Sequence, residues 1–319
     1  MEKRSATIDF FRVIAAFLVV IIHSGQVPFH TITVTIALYA VPFFMLVTGY
    51  FYFKAPSVEK LRRTLRKVLW LWFIWMIIYL PNAIRVIMRC LVHGINPLHL
   101  ILWSFFGESI CYGGSWYLLA VAFGLFVVDW FRRHNRMGLC HLFALVALVI
   151  GCGSTNYRPL MIHLPLMHYY WATTMIVGVL WMDVAFLIAK YEKFVSYFSS
   201  WWWVIAAIAV TFAEYLFVSY FTGYSSNLYN DMWLTLPISI AWIFAVILNH
   251  PYYKPAKNVM KLRDFATLLF FIHFGVINFG DFSHTVLGCL AAVGCATVIT
   301  GVVLVLSYTH QFRFLKKIY

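Results

Sequence analysis

Apolar stretches of about 18 to 25 residues recur from one end of this 319-residue chain to the other, separated by short polar or basic breaks. At about 1.5 Å per helical residue, that length matches a hydrocarbon core about 30 Å thick. A backbone in lipid must satisfy its own hydrogen bonds, so the stretches read as spanning α-helices. Barrel strands would alternate apolar and polar residues, and these stretches do not. Composition agrees, with 63% hydrophobic and only 11% charged residues, against about a quarter charged in soluble domains. The expectation is an all-α polytopic transmembrane bundle in the cell membrane, one domain over residues 1–319, with about ten spans.

A net charge of +13 raises nucleic acid as a partner, but the placement of the cations argues against it. Twenty of the 24 Lys and Arg fall in every second gap, including Lys3 and Arg4, the run from Lys60 to Lys67, Arg132, Arg133 and Arg136, and Lys316 and Lys317. The positive-inside rule then puts both termini in the cytoplasm and makes the lipid bilayer the partner. Arg12 interrupts any signal-peptide core and no A-x-A-like cleavage site follows His23, so the first helix reads as uncleaved. Six cysteines show no C-x-x-C pair; Cys90 and Cys111 both fall near the outer face, where a disulfide is the alternative, and the expected state is buried free thiols.

Helices are expected near 8–28, 32–53, 68–90, 114–131, 138–152, 169–189, 201–221, 231–249, 265–280 and 284–308. The segment Leu91 to Gly114, broken by Gly, Pro and His, reads as interfacial or re-entrant. Trp201, Trp202 and Trp203 suit an interfacial belt.

Several polar residues interrupt this apolar frame. Arg12 and His23 lie 11 residues apart on the first helix, which returns them to nearly one face about 16 Å apart along the axis. Arg12 can snorkel to the inner headgroups, with Asp9 one turn before it. His23, in the outer half, still needs hydrogen-bond partners. The second helix closes with VPFFMLVTGYF and is followed by KLRRTLRK, where Arg63 and Arg66 share a helical face suited to phosphate oxygens or to topogenic charge. GGSWYLLA brings Trp116 and Tyr117 into the fourth span at the outer interface. His273 lies inside LLFFIHFGV, with Asn278 and Asp281 beyond it, and Glu214 and Asp231 flank the loop TGYSSNLY. There is no G-x-S-x-G, H-E-x-x-H or Walker loop, and no clustered metal ligands.

Taken in order, these features resemble acyltransferase family 3. The matching features are an arginine, ten residues and a histidine (Arg12, His23), VPFFMLVTGY, the arginine-rich RRTLR, SWYLLA and FFIHF. The resemblance runs over essentially the whole chain. It implies transfer of an acyl group, commonly acetyl, from cytoplasmic acyl-CoA to an extracytoplasmic hydroxyl, such as one on a cell-surface glycan, as in envelope O-acetylation at the bacterial inner membrane. His23 would be the general base or acyl carrier, and Arg12, with Arg63 and Arg66, would hold the anionic donor. Trp116, Tyr117 and His273 would bind the acceptor. The same stretches are similar to the membrane half of membrane-bound serine racemases of glycopeptide resistance, which implies a second class of function, L-serine uptake.

Overall fold

The computed structural model describes residues 3–24, 30–161, 163–164, 169–222, 232–280, 282 and 285–319. In chain order its helices are α1 (Ala6–His23), α2 (His30–Ala37), α3 (Ala40–Phe53), α4 (Val58–Ile78), α5 (Leu80–Val92), α6 (Leu98–Trp103), α7 (Ser115–Arg133) and α8 (Met137–Gly153). They continue as α9 (Arg158–Met161), α10 (Val177–Lys190), α11 (Glu192–Tyr197), α12 (Trp202–Thr222), α13 (Leu236–Asn249), α14 (Ala256–Phe279) and α15 (Val286–Tyr308). Among the described residues, extended pairing is confined to β1 (Lys3–Ser5) and β2 (Tyr253–Pro255), antiparallel with Arg4 opposite Lys254.

Among the described residues, six helices are long and apolar enough to cross a bilayer, and seven if the bent pair α4–α5 makes one span. The remaining expected spans correspond to α8, α10 and α13, of 17, 14 and 14 residues. At about 1.5 Å per residue these reach only about 21 to 26 Å, short of a full core. On α15 the outward residues Leu287, Leu290, Val298, Val302 and Val305 are exposed, a surface that suits lipid and not water.

Several expected boundaries shift, among them that of α14, which starts at Ala256 and not near 265; three of the helices change for a local reason. The helix expected over 68–90 starts earlier, at Val58, because the Ser57 side chain accepts from the Lys60 amide and caps it. It then bends by 57° at Tyr79, where Pro81 opens α5 and cannot donate to the preceding turn. A turn at Leu38 and Tyr39 divides the helix expected over 32–53, and Pro42 stands in the first turn of α3, where its missing N–H does least harm. The helix expected over 169–189 begins only at Val177, because the preceding segment is tied to loops by Trp171 N to Ser154 Oγ (3.1 Å) and Met175 N to the Phe106 carbonyl (3.0 Å).

The chain divides into two compact units, one of residues 1–44, 192–213 and 238–319, the other of 45–191 and 214–237. In the first, α1 packs on α14 and both meet α15. Ala16, Ala266 and Ala296, all fully buried, sit among Val20 and Leu269 and let the helices approach closely. A hydroxyl chain from Tyr39 to Thr211 (2.7 Å) and from Thr211 to Ser239 (3.0 Å) satisfies polar groups that lipid or core would otherwise strand.

In the second unit, α7 is central and packs on α4, α8 and α10. Its crossing with α10 is set by two glycines. A Cβ on Gly178 would lie 1.9 Å from the Ala120 carbonyl oxygen, and one on Gly124 would lie 2.3 Å from that of Gly178. Backbone touches backbone here, which only glycine permits.

Candidate active site

Helix α1 runs unbroken from Ala6 to His23, so the expected same-face spacing of Arg12 and His23 holds on one continuous element. Near its N-terminus the carboxylate of Asp9, fully buried, accepts from Arg12 Nη1 at 2.6 Å, and the arginine side chain is only 14% exposed. Arg12 is therefore held in place and does not hang loosely toward headgroups. Asp9 supplies the orientation that the i, i+3 spacing predicts.

His23 is the last residue of α1, and its Nδ1 lies 2.8 Å from the Val19 carbonyl oxygen. A carbonyl only accepts, so Nδ1 carries the hydrogen and Nε2 keeps its lone pair. The residue is exposed. Its ring meets two groups from α14, His273 at a centroid distance of 5.3 Å and Phe274 at 4.7 Å. His273 is fully buried, with Nδ1 3.3 Å from the Leu269 carbonyl oxygen. Its Nε2 has no hydrogen-bond partner among the described residues. Next to His23, the Ser24 hydroxyl donates to the Ile21 carbonyl and lies 2.8 Å from the Cys289 sulfur. Asn278 continues α14, whereas Asp231 and Asp281 lie outside the described residues.

The other expected site residues belong to the second unit. Arg63 and Arg66 lie one turn apart in the first half of α4, both exposed. Nearby, Lys60 Nζ caps the end of α3 by donating to the carbonyls of Phe51 (2.5 Å), Tyr52 (3.4 Å) and Ala55 (3.3 Å). Trp116 and Tyr117 are half-buried at the start of α7. Tyr52 lies close to Asp129, which stands thirteen residues, about 20 Å, along α7 from Trp116.

The second unit also holds charged clusters that the sequence reading passed over. Asp129, fully buried, accepts from Arg132 at 2.8 and 3.1 Å and pairs with Arg133. Asp183 on α10 accepts from His141 Nδ1 on α8 at 2.8 and 3.0 Å, with the Cys140 sulfur 3.8 Å away. Both acids lie inside expected spans, and an acid in such a span was the available signal. Glu214, by contrast, is structural. It accepts from the Tyr157 hydroxyl (2.5 Å), the amides of Leu234 and Thr235 (2.8 Å each) and the Thr235 hydroxyl (2.5 Å), which fills its lone pairs and caps α13. Burial, and then the Glu214 carboxylate, push the Tyr157 phenol up.

All six cysteines are free thiols, but only four are buried as expected, Cys90 being half-buried and Cys295 exposed; burial pushes the Cys111 thiol up, away from the reactive thiolate. No group of three His, Cys, Asp or Glu side chains among the described residues is placed to hold a metal ion.

Comparison with known proteins bears on this arrangement. The acyltransferase domain of acyltransferase family 3 matches residues 5–309. An amino-acid racemase of Enterococcus faecalis is 26% identical over 303 residues, covering 86% of this chain and 41% of its own length. A serine/alanine racemase of Enterococcus gallinarum is 26% identical over 272 residues, covering 77% of this chain and 37% of its own length. The chain thus spans less than half the length of these curated relatives. No solved structure matches it. With a family match over nearly its whole length and six or seven long apolar helices among the described residues, the chain is a multi-pass membrane protein belonging to acyltransferase family 3.

Proposed function

We propose that this protein is a membrane-bound acyltransferase that moves an acyl group, acetyl in the simplest case, from cytoplasmic acyl-CoA to a hydroxyl on an extracytoplasmic acceptor such as a cell-surface glycan. The observation that carries the reading is the state of His23. Its Nδ1–H is committed to Val19, which leaves the Nε2 lone pair of this exposed residue unspent in that bond. That is the form a general base or an acyl-accepting nucleophile requires.

In this reading Arg12 and His23 carry the reaction, and the donor's phosphates lie with Arg12, Arg63 and Arg66. Trp116, Tyr117 and His273 serve the acceptor. Both termini are cytoplasmic and ten segments cross or enter the membrane within a single domain. The nucleotide then stays among inner cations while the pantetheine arm carries the thioester about 16 Å up α1, so no charge need cross hydrocarbon. Arg12 is already ordered by Asp9, which lowers the entropic cost of its meeting a phosphate.

The test is release of free thiol from acetyl-CoA by the purified chain in lipid nanodiscs, with and without a glycan acceptor. Release that disappears in His23→Ala while the melting temperature is kept supports the reading; equal release in both variants defeats it. The two curated relatives are named racemases, and L-serine uptake stands beside acyl transfer as a second reading. It is distinguished by serine accumulation in proteoliposomes lacking any acyl donor.

A further inference from the structure

We infer that His23 and His273 form a one-proton imidazole pair, in which His273 is a positioning residue for the proton that His23 takes from the acceptor hydroxyl. The inference rests on the acyl-transfer reading and assigns His273 a specific task within it. Its ground is the tautomer of the two rings. Each Nδ1 lies against a carbonyl one turn back on its own helix, Val19 at 2.8 Å and Leu269 at 3.3 Å. Carbonyls only accept, so both Nδ1 atoms carry hydrogen, and in the neutral rings both Nε2 atoms carry lone pairs. Two lone pairs cannot bond to each other. At a centroid separation of 5.3 Å nothing joins the rings, and Nε2 of His273 is left buried with no partner among the described residues.

A buried polar atom without a partner calls for an explanation, and one added proton supplies it. Once Nε2 of His23 is protonated it becomes a donor, and the His273 lone pair becomes its acceptor, directly or through one water. Phe274 packs on His23 at 4.7 Å and on His273 at 4.3 Å, which restricts both rings from turning away.

The acceptor O–H bond breaks and its proton goes to Nε2 of His23, while the hydroxyl oxygen bonds to the thioester carbonyl carbon. The C–S bond then breaks, and the departing thiolate takes the proton back from His23 and leaves as the thiol. Between these events the imidazolium is held by His273, and both rings finish as they began.

The experiment uses the full chain in lipid nanodiscs, with its histidine rings labelled with ¹⁵N, and the variants His273→Leu and His273→Gln. Leucine fills the space without an acceptor, whereas glutamine keeps a carbonyl oxygen. On acidification the parent protein is expected to show a His23 Nε2–H that is hydrogen-bonded and slow to exchange, lost in His273→Leu and restored in His273→Gln. With acetyl-CoA as donor and water as acceptor, kcat for thiol release is expected to fall at least tenfold in His273→Leu at unchanged KM, and to recover most of that in His273→Gln. An unaltered His23 signal in folded His273→Leu overturns the pair, as does an equal loss of kcat in both variants. Absence of thiol release from the parent protein would instead count against acyl transfer, and the nitrogen spectra would still decide the pair.

Discussion

His23 and the three arginines make separable demands on their surroundings, and substitutions should separate them. Replacing His23 by Ala removes the Nε2 base and is expected to cut thiol release from acetyl-CoA by about 10²- to 10⁴-fold, the range for loss of a general base. Melting should change little, because the ring is exposed. Arg12→Ala behaves differently, since it strips a 2.6 Å partner from a fully buried Asp9. Calorimetry should show a lower melting temperature, reflecting about 3 kcal/mol for breaking a buried ion pair. Arg63→Ala and Arg66→Ala alter exposed side chains and should leave melting unchanged. If they hold donor phosphate, isothermal titration with coenzyme A should weaken about tenfold for each. Unchanged affinity in both would return them to topogenic charge.

The packing of α7, α8 and α10 supplies the next test. Gly178 lies so close to Ala120 that any side chain forces the two helices apart, so Gly178→Ala should cost several times the about 1 kcal/mol that such a substitution changes at an open helical site. A large fall in detergent melting temperature, with Gly138→Ala as the control in open space, checks this. Asp183→Leu should also destabilise, but less, because His141 is 42% exposed on its side-chain surface and can rehydrate. The expected cost is about 1 to 2 kcal/mol by the same measurement. The tie between α8 and α10 explains how two helices too short to span alone are kept in register.

The orientation expected from the charge pattern is open to a direct check. If the basic segments are cytoplasmic, Tyr169→Cys should react with an impermeant thiol reagent applied from outside intact cells. Asn135→Cys, in the Arg132–Arg136 turn, should react only after permeabilisation. Tyr169 is 60% exposed, and Asn135 stands in an exposed turn with φ of 55°, so neither test residue is hidden. The reverse pattern would invert the proposed donor and acceptor sides together.

Lipid solvation and the helical repeat acted through the sequence alone, and what they determine was legible there: an all-helical membrane chain, the cationic gaps, and the shared face of Arg12 and His23. These are local properties, since apolar length, charge position and a 3.6-residue turn need no partner. The breaks at Tyr79 and Leu38 were less visible, because hydropathy averages across a turn that proline and capping create. Contacts between distant helices could not be read at all. Nothing in the chain order says that His273 meets His23 across some 250 residues, that Asp183 receives His141, or that Asp9 lies fully buried beneath Arg12. Such contacts depend on which helix faces which, and that is settled by close backbone approach at glycine and alanine and by the need to pair every buried charge.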